Sequence, residues 1–400
     1  MRLSGGRVAV DSRTAVPASI DIENGRIHKV TREDSSQFPA RFSSGQVDLE
    51  NYLILPGLIN AHDHLEFNLF PRLGNGPYPN YEEWANDIYR PELSPIREHL
   101  SIPKHTRLWW GGIKNLLCGV TTVCHHNPYE EVVFDGAFPV RVLKRYGWAH
   151  SIAFEKDLTL AFRSTASGAP FIIHLAEGTD ARSQNEIFAL NHLGALDSRT
   201  VIVHGVGLTA DGHVLRRRKG ATLVWCPTSN RFTIGATLDA RTICLEERIA
   251  LGSDSTLTAH GDLLDEIHAA HDEEGVTADA IYEMVTESAA AILRLSDGEG
   301  KIQVGSIANL IAFRESNATP AETLVRAGLN QIELVMIAGK LQLISAEMAR
   351  RWPPDLFEGL EWISVGGTRR MVRAPIGRLL DEASRYLSAP VRLAGKEVSI

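Results

Sequence analysis

The 400-residue sequence predicts an α/β fold, a distorted (β/α) barrel carrying a small β-sandwich formed by both termini. Three observations predict it. Short apolar runs recur through the middle of the chain, each followed by a helical stretch, as buried parallel strands in βα units are. Residues suited to chemistry stand at the ends of those runs. The two ends of the chain have a different texture, with alternating strands and tight turns.

The ends come first. Residues 7–10, 19–22 and 26–30 read as strands, the last two joined at Glu23-Asn24-Gly25. Residues 52–55 form another, and Pro56-Gly57 marks a sharp junction. Late in the chain, residues 308–313 read as a strand, and 333–337 with 341–344 as a hairpin around Ala338-Gly339-Lys340. A helical stretch over 375–387 precedes a short strand at 391–393. Residues 1–57 with 303–400 are therefore expected to form the sandwich and 58–302 the barrel. Such a barrel takes roughly 250 residues.

In the middle, Leu58-Ile59-Asn60-Ala61 leads to His62, Phe171-Ile172-Ile173 to His174, Val201-Ile202-Val203 to His204, and Ile249-Ala250-Leu251-Gly252 to Asp254. Residues 120–124, 148–154 and 221–226 read as further strands, and stretches near 104–118, 139–146, 209–219 and 261–271 as helices. Side chains at strand C-terminal ends of a barrel converge on one face, so these distant residues can meet. The segment 67–91 is rich in Pro, Gly and aromatics, among them Phe70, Tyr78, Tyr81, Trp84 and Tyr89. Long ordered loops of this kind are often lids or binding loops. Its rings either stack on a flat substrate, Trp84 foremost, or pack the loop onto the barrel.

Composition bounds the function. A hydrophobic fraction of 44% and a charged fraction of 22% are ordinary for a soluble enzyme. The net charge of −8 argues against a nucleic-acid surface. The basic run Arg216-Arg217-Arg218-Lys219 reads as a solvated helix end. No run approaches the roughly 18 apolar residues that span a bilayer, and the first residues lack a signal-peptide core. Cys118, Cys124, Cys226 and Cys244 have no CxxC spacing and read as buried thiols in a reducing compartment, the cytoplasm. The nucleophile elbow, phosphate loop, dinucleotide fingerprint, HExxH and the H-x-E/P-C-x-x-C deaminase signature are all absent from the sequence.

His62-Asp63-His64 places two imidazoles on one side of a strand, with Asp63 facing away. Its context, Leu55-Pro56-Gly57-Leu58-Ile59-Asn60-Ala61-His62-Asp63-His64-Leu65, resembles the first barrel strand of the amidohydrolase superfamily. The resemblance continues in order. It runs through Gly119-Val120-Thr121-Thr122-Val123, His174-Leu175-Ala176-Glu177, Val203-His204-Gly205 and Cys226-Pro227-Thr228-Ser229-Asn230. Leu251-Gly252-Ser253-Asp254-Ser255 and the return at residues 300–310 complete it. The HxxE element is similar to that of the deaminase-like branch, which includes cytosine and guanine deaminases and chlorohydrolase relatives.

The resemblance implies a TIM-type barrel with His62, His64, His174 and Asp254 as metal ligands. It implies that His204 holds the attacking water or a substrate oxygen, and that Asp254 also accepts a hydrogen bond from that water. Glu177, three residues past His174, is the expected proton shuttle. Three imidazoles and a carboxylate suit zinc, with Fe2+ or Mn2+ as alternatives. No lysine stands where binuclear members place their bridging carbamate, so one divalent ion is expected. Counting strands puts His174 on about the fourth, where the family places it on the fifth, so one βα unit is expected to be cryptic, reduced or lost.

Two further residues keep two readings each. Glu66 shares the side of His64 and either binds a substrate amino group or pairs with a nearby arginine. His126 either touches substrate or hydrogen-bonds to backbone at its strand end. The expected function is hydrolytic deamination of a nitrogen heterocycle by a metal-activated water. Amide or cyclic-amide hydrolysis with the same machinery is the alternative, and a non-catalytic scaffold is a third reading. The expected partner is a small-molecule substrate, with no nucleic acid or membrane; homo-oligomerisation stays open.

Overall fold

The computed structural model describes residues 1–33, 46–134, 136–239, 243 and 248–400. The chain begins with β1 (Arg2–Ala9), β2 (Ala15–Glu23), β3 (Arg26–Arg32), β4 (Gln46–Asp48) and β5 (Tyr52–Pro56). The barrel strands follow: β6 (Leu58–Asp63), β7 (Val120–His125), β8 (Arg141–Val142), β9 (Gly147–Ala149), β10 (Phe171–Leu175), β11 (Thr200–His204), β12 (Thr222–Trp225) and β13 (Ile249–Leu251). The chain returns through β14 (Leu310–Arg314), β15 (Ile332–Ile337), β16 (Lys340–Ile344), β17 (Glu361–Val365), β18 (Thr368–Val372), β19 (Arg392–Leu393) and β20 (Lys396–Ser399).

The strands from the two ends form one 12-stranded, sandwich-like sheet. β5 joins the strands of the two ends, parallel to β1 and antiparallel to β14, with Leu310 opposite Pro56 and Arg314 opposite Tyr52. The alternation of β5 divides its side chains between two cores: Leu53 and Leu55 face the main core, and Tyr52 and Ile54 the core of the terminal sheet. At the junction, a Cβ on Gly57 would collide with Thr121 of β7, so only glycine lets the chain pass directly from sheet to barrel.

The barrel is two parallel arcs, β6-β7-β8 and β9-β10-β11-β12-β13. His174 therefore lies on the fifth barrel strand, and the count from sequence is corrected. The third strand is reduced to Arg141–Val142, and only four residues, with no helix, separate it from β9. The helix expected over 139–146 is replaced by this strand. Val140 and Val142 favour extended backbone, and Val142 registers beside Val123 of β7. The strand expected over 148–154 shrinks to Gly147–Ala149.

The segment 67–91 carries a helix, Tyr81–Ile88, that sequence reading left as loop; Asn80 caps it by accepting from Glu83 N. Arg216, expected at a solvated helix end, is buried, and its guanidinium donates to Ala221 O at 2.7 Å. Cys118, Cys124 and Cys226 are buried free thiols; Cys244 lies outside the described residues. Among the described residues no helix is long and apolar enough to cross a membrane.

Candidate active site

The alternation of each barrel strand decides what faces the centre. On β10, Phe171, Ile173 and Leu175 pack outward, while Ile172 joins the barrel interior and His174 stands on the same side. On β11, Val201 and Val203 point inward and Ile202 outward, which would send His204 outward as well. The left-handed backbone at His204 (φ 73°) turns it back to the site. Ala176 (φ 55°) and Asp254 (φ 50°) adopt the same region at the ends of their strands. Three such non-glycine residues around one site are a local cost held by the surrounding structure.

The side chains meet as the sequence motifs imply. His174 Nε2 lies 3.3 Å from both His62 Nε2 and His64 Nε2. Asp254 Oδ1 lies 3.6 Å from His62 Nε2 and 3.7 Å from His64 Nε2. Two donors each about 2.05 Å from one ion at a tetrahedral angle lie about 3.3 Å apart, so this spacing fits a single small divalent cation. His126 and His204 complete two overlapping groups of donor atoms here.

The electrostatics agree. Burial, then the neighbouring imidazoles, hold His64 and His174 well below the usual histidine range. They are neutral at pH 7 and offer lone pairs, as ligands must. Burial alone would raise the Asp254 carboxyl. The hydrogen bond and charge of His62, with His64 and His204, hold it well below the usual range instead. Its Oδ2 is pinned by Ser229 Oγ at 2.7 Å and Thr258 Oγ1 at 3.1 Å.

Glu177 and His204 form the second half of the site. His204 Nε2 lies 3.5 Å from Glu177 Oε2. On its other side, His204 Nδ1 lies 2.7 Å from Asn230 Oδ1, while the Asn230 amide donates to Thr237. Asn230 therefore accepts, His204 carries its proton on Nδ1, and Nε2 is left as an acceptor facing the cavity. Burial pushes His204 down to about 4. Burial, with the charges of Asp254 and Glu186, pushes the Glu177 carboxyl well above the ordinary range. Glu186 Oε2 accepts from Ala176 N at 2.6 Å, bracing the turn that presents Glu177.

Glu66, His126 and Trp84 fall in different places. Glu66 lies outside the cavity lining and turns toward His125, whose Nε2 is 3.2 Å away, with Lys104 at 4.0 Å. The shared-side expectation fails because the extended backbone stops: residues 65–67 form a 3-10 turn. His126 is buried, with Nε2 2.9 Å from Ala149 O and its ring packed on His174. Trp84 lines the cavity.

Sequence reading missed three features. His150, just past β9, lines the cavity and packs against His174; its place one residue beyond a strand end was the available signal. Ser229 and Asn230 were quoted within a motif but given no role. Lys114 is buried and pairs with Asp63, between His62 and His64 in the chain, at 3.0 Å. Nothing in a helical Lys114 announces that partner.

A (β/α) barrel with converging imidazoles, a pinned carboxylate and a buried glutamic acid defines a metal-dependent hydrolase. Residues 150–342 match the model of the Amidohydrolase family. A 5-methylthioadenosine/S-adenosylhomocysteine deaminase from Thermococcus sibiricus is 22% identical over 404 aligned residues, covering 84% of this chain and 91% of that protein. An adenosine deaminase from Xanthomonas campestris with bound zinc superposes with a TM-score of 0.69 at 17% identity, covering 96% of this chain and 97% of that one. A mutant of the atrazine chlorohydrolase TrzN from Arthrobacter aurescens TC1, complexed with zinc and atraton, superposes at 0.72 with 16% identity, covering 96% and 99%. The chain thus matches the Amidohydrolase family over residues 150–342 and is similar, over most of its length, to deaminases.

Proposed function

We propose that this protein is a zinc-dependent aminohydrolase that replaces an exocyclic amino group of a nitrogen heterocycle with oxygen. The observation that carries the reading is the buried Glu177 carboxyl, facing His204 at 3.5 Å beside the cluster of imidazole nitrogens. His62, His64, His174 and Asp254 would hold the ion. A divalent ion in such a site lowers the pKa of a bound water to about 7 and so supplies a nucleophile at neutral pH.

The chain does the rest. Asp254 presents Oδ1 to the site because Ser229 and Thr258 occupy Oδ2. His204, with Nε2 left as an acceptor, would hold the attacking water. Glu177 takes the proton released by water and passes it to the departing nitrogen, so that ammonia leaves. Glu177, His204 and Asp254 are buried, which strengthens these interactions. The relatives' names, deaminases of adenosine-type compounds, support the same reading. The intact donor set opposes a non-catalytic scaffold. We place the enzyme in the cytoplasm, acting on a small molecule, with the composite sheet (1–57 and 303–400) as one unit and 58–302 as the other.

The test is turnover of a panel of amino-substituted triazines, pyrimidines and purines. Stoichiometric ammonia and a product about one mass unit heavier are expected. Addition of a whole water across all active compounds would replace deamination by ring-amide hydrolysis.

A further inference from the structure

The cavity next to the imidazole cluster has a volume of about 460 Å³, within the range of roughly 300–1,000 Å³ usual for small-molecule sites. Its inner end holds Glu177, His204 and Asp254. Its outer wall is largely one helix. Tyr81, Trp84, Ala85 and Ile88 stand at i, i+3, i+4 and i+7, the spacing of an apolar stripe that a surface helix turns to its core. Here the stripe lines the cavity instead, and Trp84, Ala85 and Ile88 remain half-exposed. Phe154, 47% exposed, extends the apolar surface from Tyr81, whose ring it meets edge-on at 5.5 Å. The Trp84 indole is fixed by donation of Nε1–H to Leu73 O at 2.9 Å, so the wall is preformed.

Charge is distributed as unevenly as polarity. Among the described residues no lysine or arginine lines the cavity, and its two carboxyls stand at the inner end. Along the helix-lined wall, away from the imidazole cluster, a phosphate or carboxylate on the ligand would lose its water without gaining a countercharge. An apolar substituent would gain by covering the stripe, at about 25 cal/mol per Å² of surface removed from water.

We infer that the site takes an uncharged amino-heterocycle bearing an apolar substituent, which lies under the helix Tyr81–Ile88, and that it excludes phosphorylated and carboxylated analogues. The inference rests on the aminohydrolase reading for the ring, but the wall and its lack of cations stand apart from the reaction.

Matched pairs test it. Aminotriazine, aminopyrimidine and aminopurine rings, each with a butyl or a carboxypropyl substituent, are titrated calorimetrically into zinc-loaded Glu177→Gln protein. For at least one ring the butyl compound should bind more than about tenfold tighter than its carboxylated partner. Ile88→Arg, its fold checked by zinc content and circular dichroism, should narrow or reverse that ratio. Equal or tighter binding of the carboxylated compounds, or no binding of any butyl compound, overturns the inference. Binding of butyl compounds without ammonia release by the unmodified enzyme would remove the deaminase reading and leave the inference standing.

Discussion

The two arcs of the barrel face each other across the site and are built differently. In the arc β9 to β13, the parallel strands pair without a register shift. In the arc β6 to β8, the pairing of β6 with β7 shifts register twice, and the last strand has two residues. The regular arc contributes His174, Glu177, His204 and Asp254. The irregular arc contributes His62 and His64 and, from the long excursion after β6, the helix that walls the cavity. The contrast teaches that both arcs supply buried imidazoles to one cluster, while only the excursion after β6 adds a helix to the cavity wall.

The arcs are joined at the edge between β13 and β6. Asp254 N donates to His62 O at 3.0 Å, and a Cβ on Gly252 would lie 2.6 Å from that of His62. Lys114 Nζ pairs with Asp63 of one arc and reaches Ser253 Oγ of the other at 3.1 Å. Each prediction probes this contrast. The largest effect is expected from the ligands. His62→Ala, from the irregular arc, and His174→Ala, from the regular one, should both bring zinc content and turnover to background. Elemental analysis showing full zinc in either variant would mean that one arc alone holds the ion.

Glu177→Gln should keep zinc and lower kcat by roughly 100- to 10,000-fold, the scale of a lost acid–base group. Steady-state rates with unchanged zinc content check it. Lys114→Met leaves Asp63 buried without its cation and should cost about 3–5 kcal/mol of stability. Urea unfolding measures the loss. A near-neutral result would show that the asparagines and serine around Asp63 suffice to join the arcs.

The smallest effect concerns Glu186, whose carboxyl burial raises to about 7 from an ordinary 4.5. The folded chain holds that proton more tightly than the unfolded chain. Its stability is therefore greatest below the unfolded pKa, falls as pH rises through the window between the two values, and is level above about 7. The fall is at most about 3 kcal/mol. Glu186→Gln should flatten this slope in urea midpoints taken across the window, while still accepting from Ala176 N.

The same contrast separates what was legible in the sequence. Strands before His62, His174, His204 and Asp254 were readable because each is an apolar run ending in a polar residue. β8 was not readable, because two residues carry no periodicity and Pro139 to Tyr146 has helix-like spacing. The helix Tyr81–Ile88 was hidden by the proline- and glycine-rich stretch before it. Its apolar stripe resembles a core-facing one, yet it faces the cavity. Glu66 was misplaced because alternation was carried past the last extended residue. That His62, His64, His174 and Asp254 cluster was legible through motif order; the supports Lys114 and Glu186 were not, since each acts through a partner distant in sequence or in a turn.

The position of β5 between strands from the two ends of the chain has a consequence for synthesis. Its partner β14 follows about 250 residues later, which at translation rates of roughly 5–20 residues per second is a delay of about 12 to 50 seconds. Through that interval one edge of β5, with Leu53, Ile54 and Leu55, has no strand to pair with while the barrel emerges. An unpaired apolar edge is a template for wrong pairing. Docking of Leu53 and Leu55 into the main core as the barrel emerges is the contact in the finished fold that can shield this edge before β14 arrives.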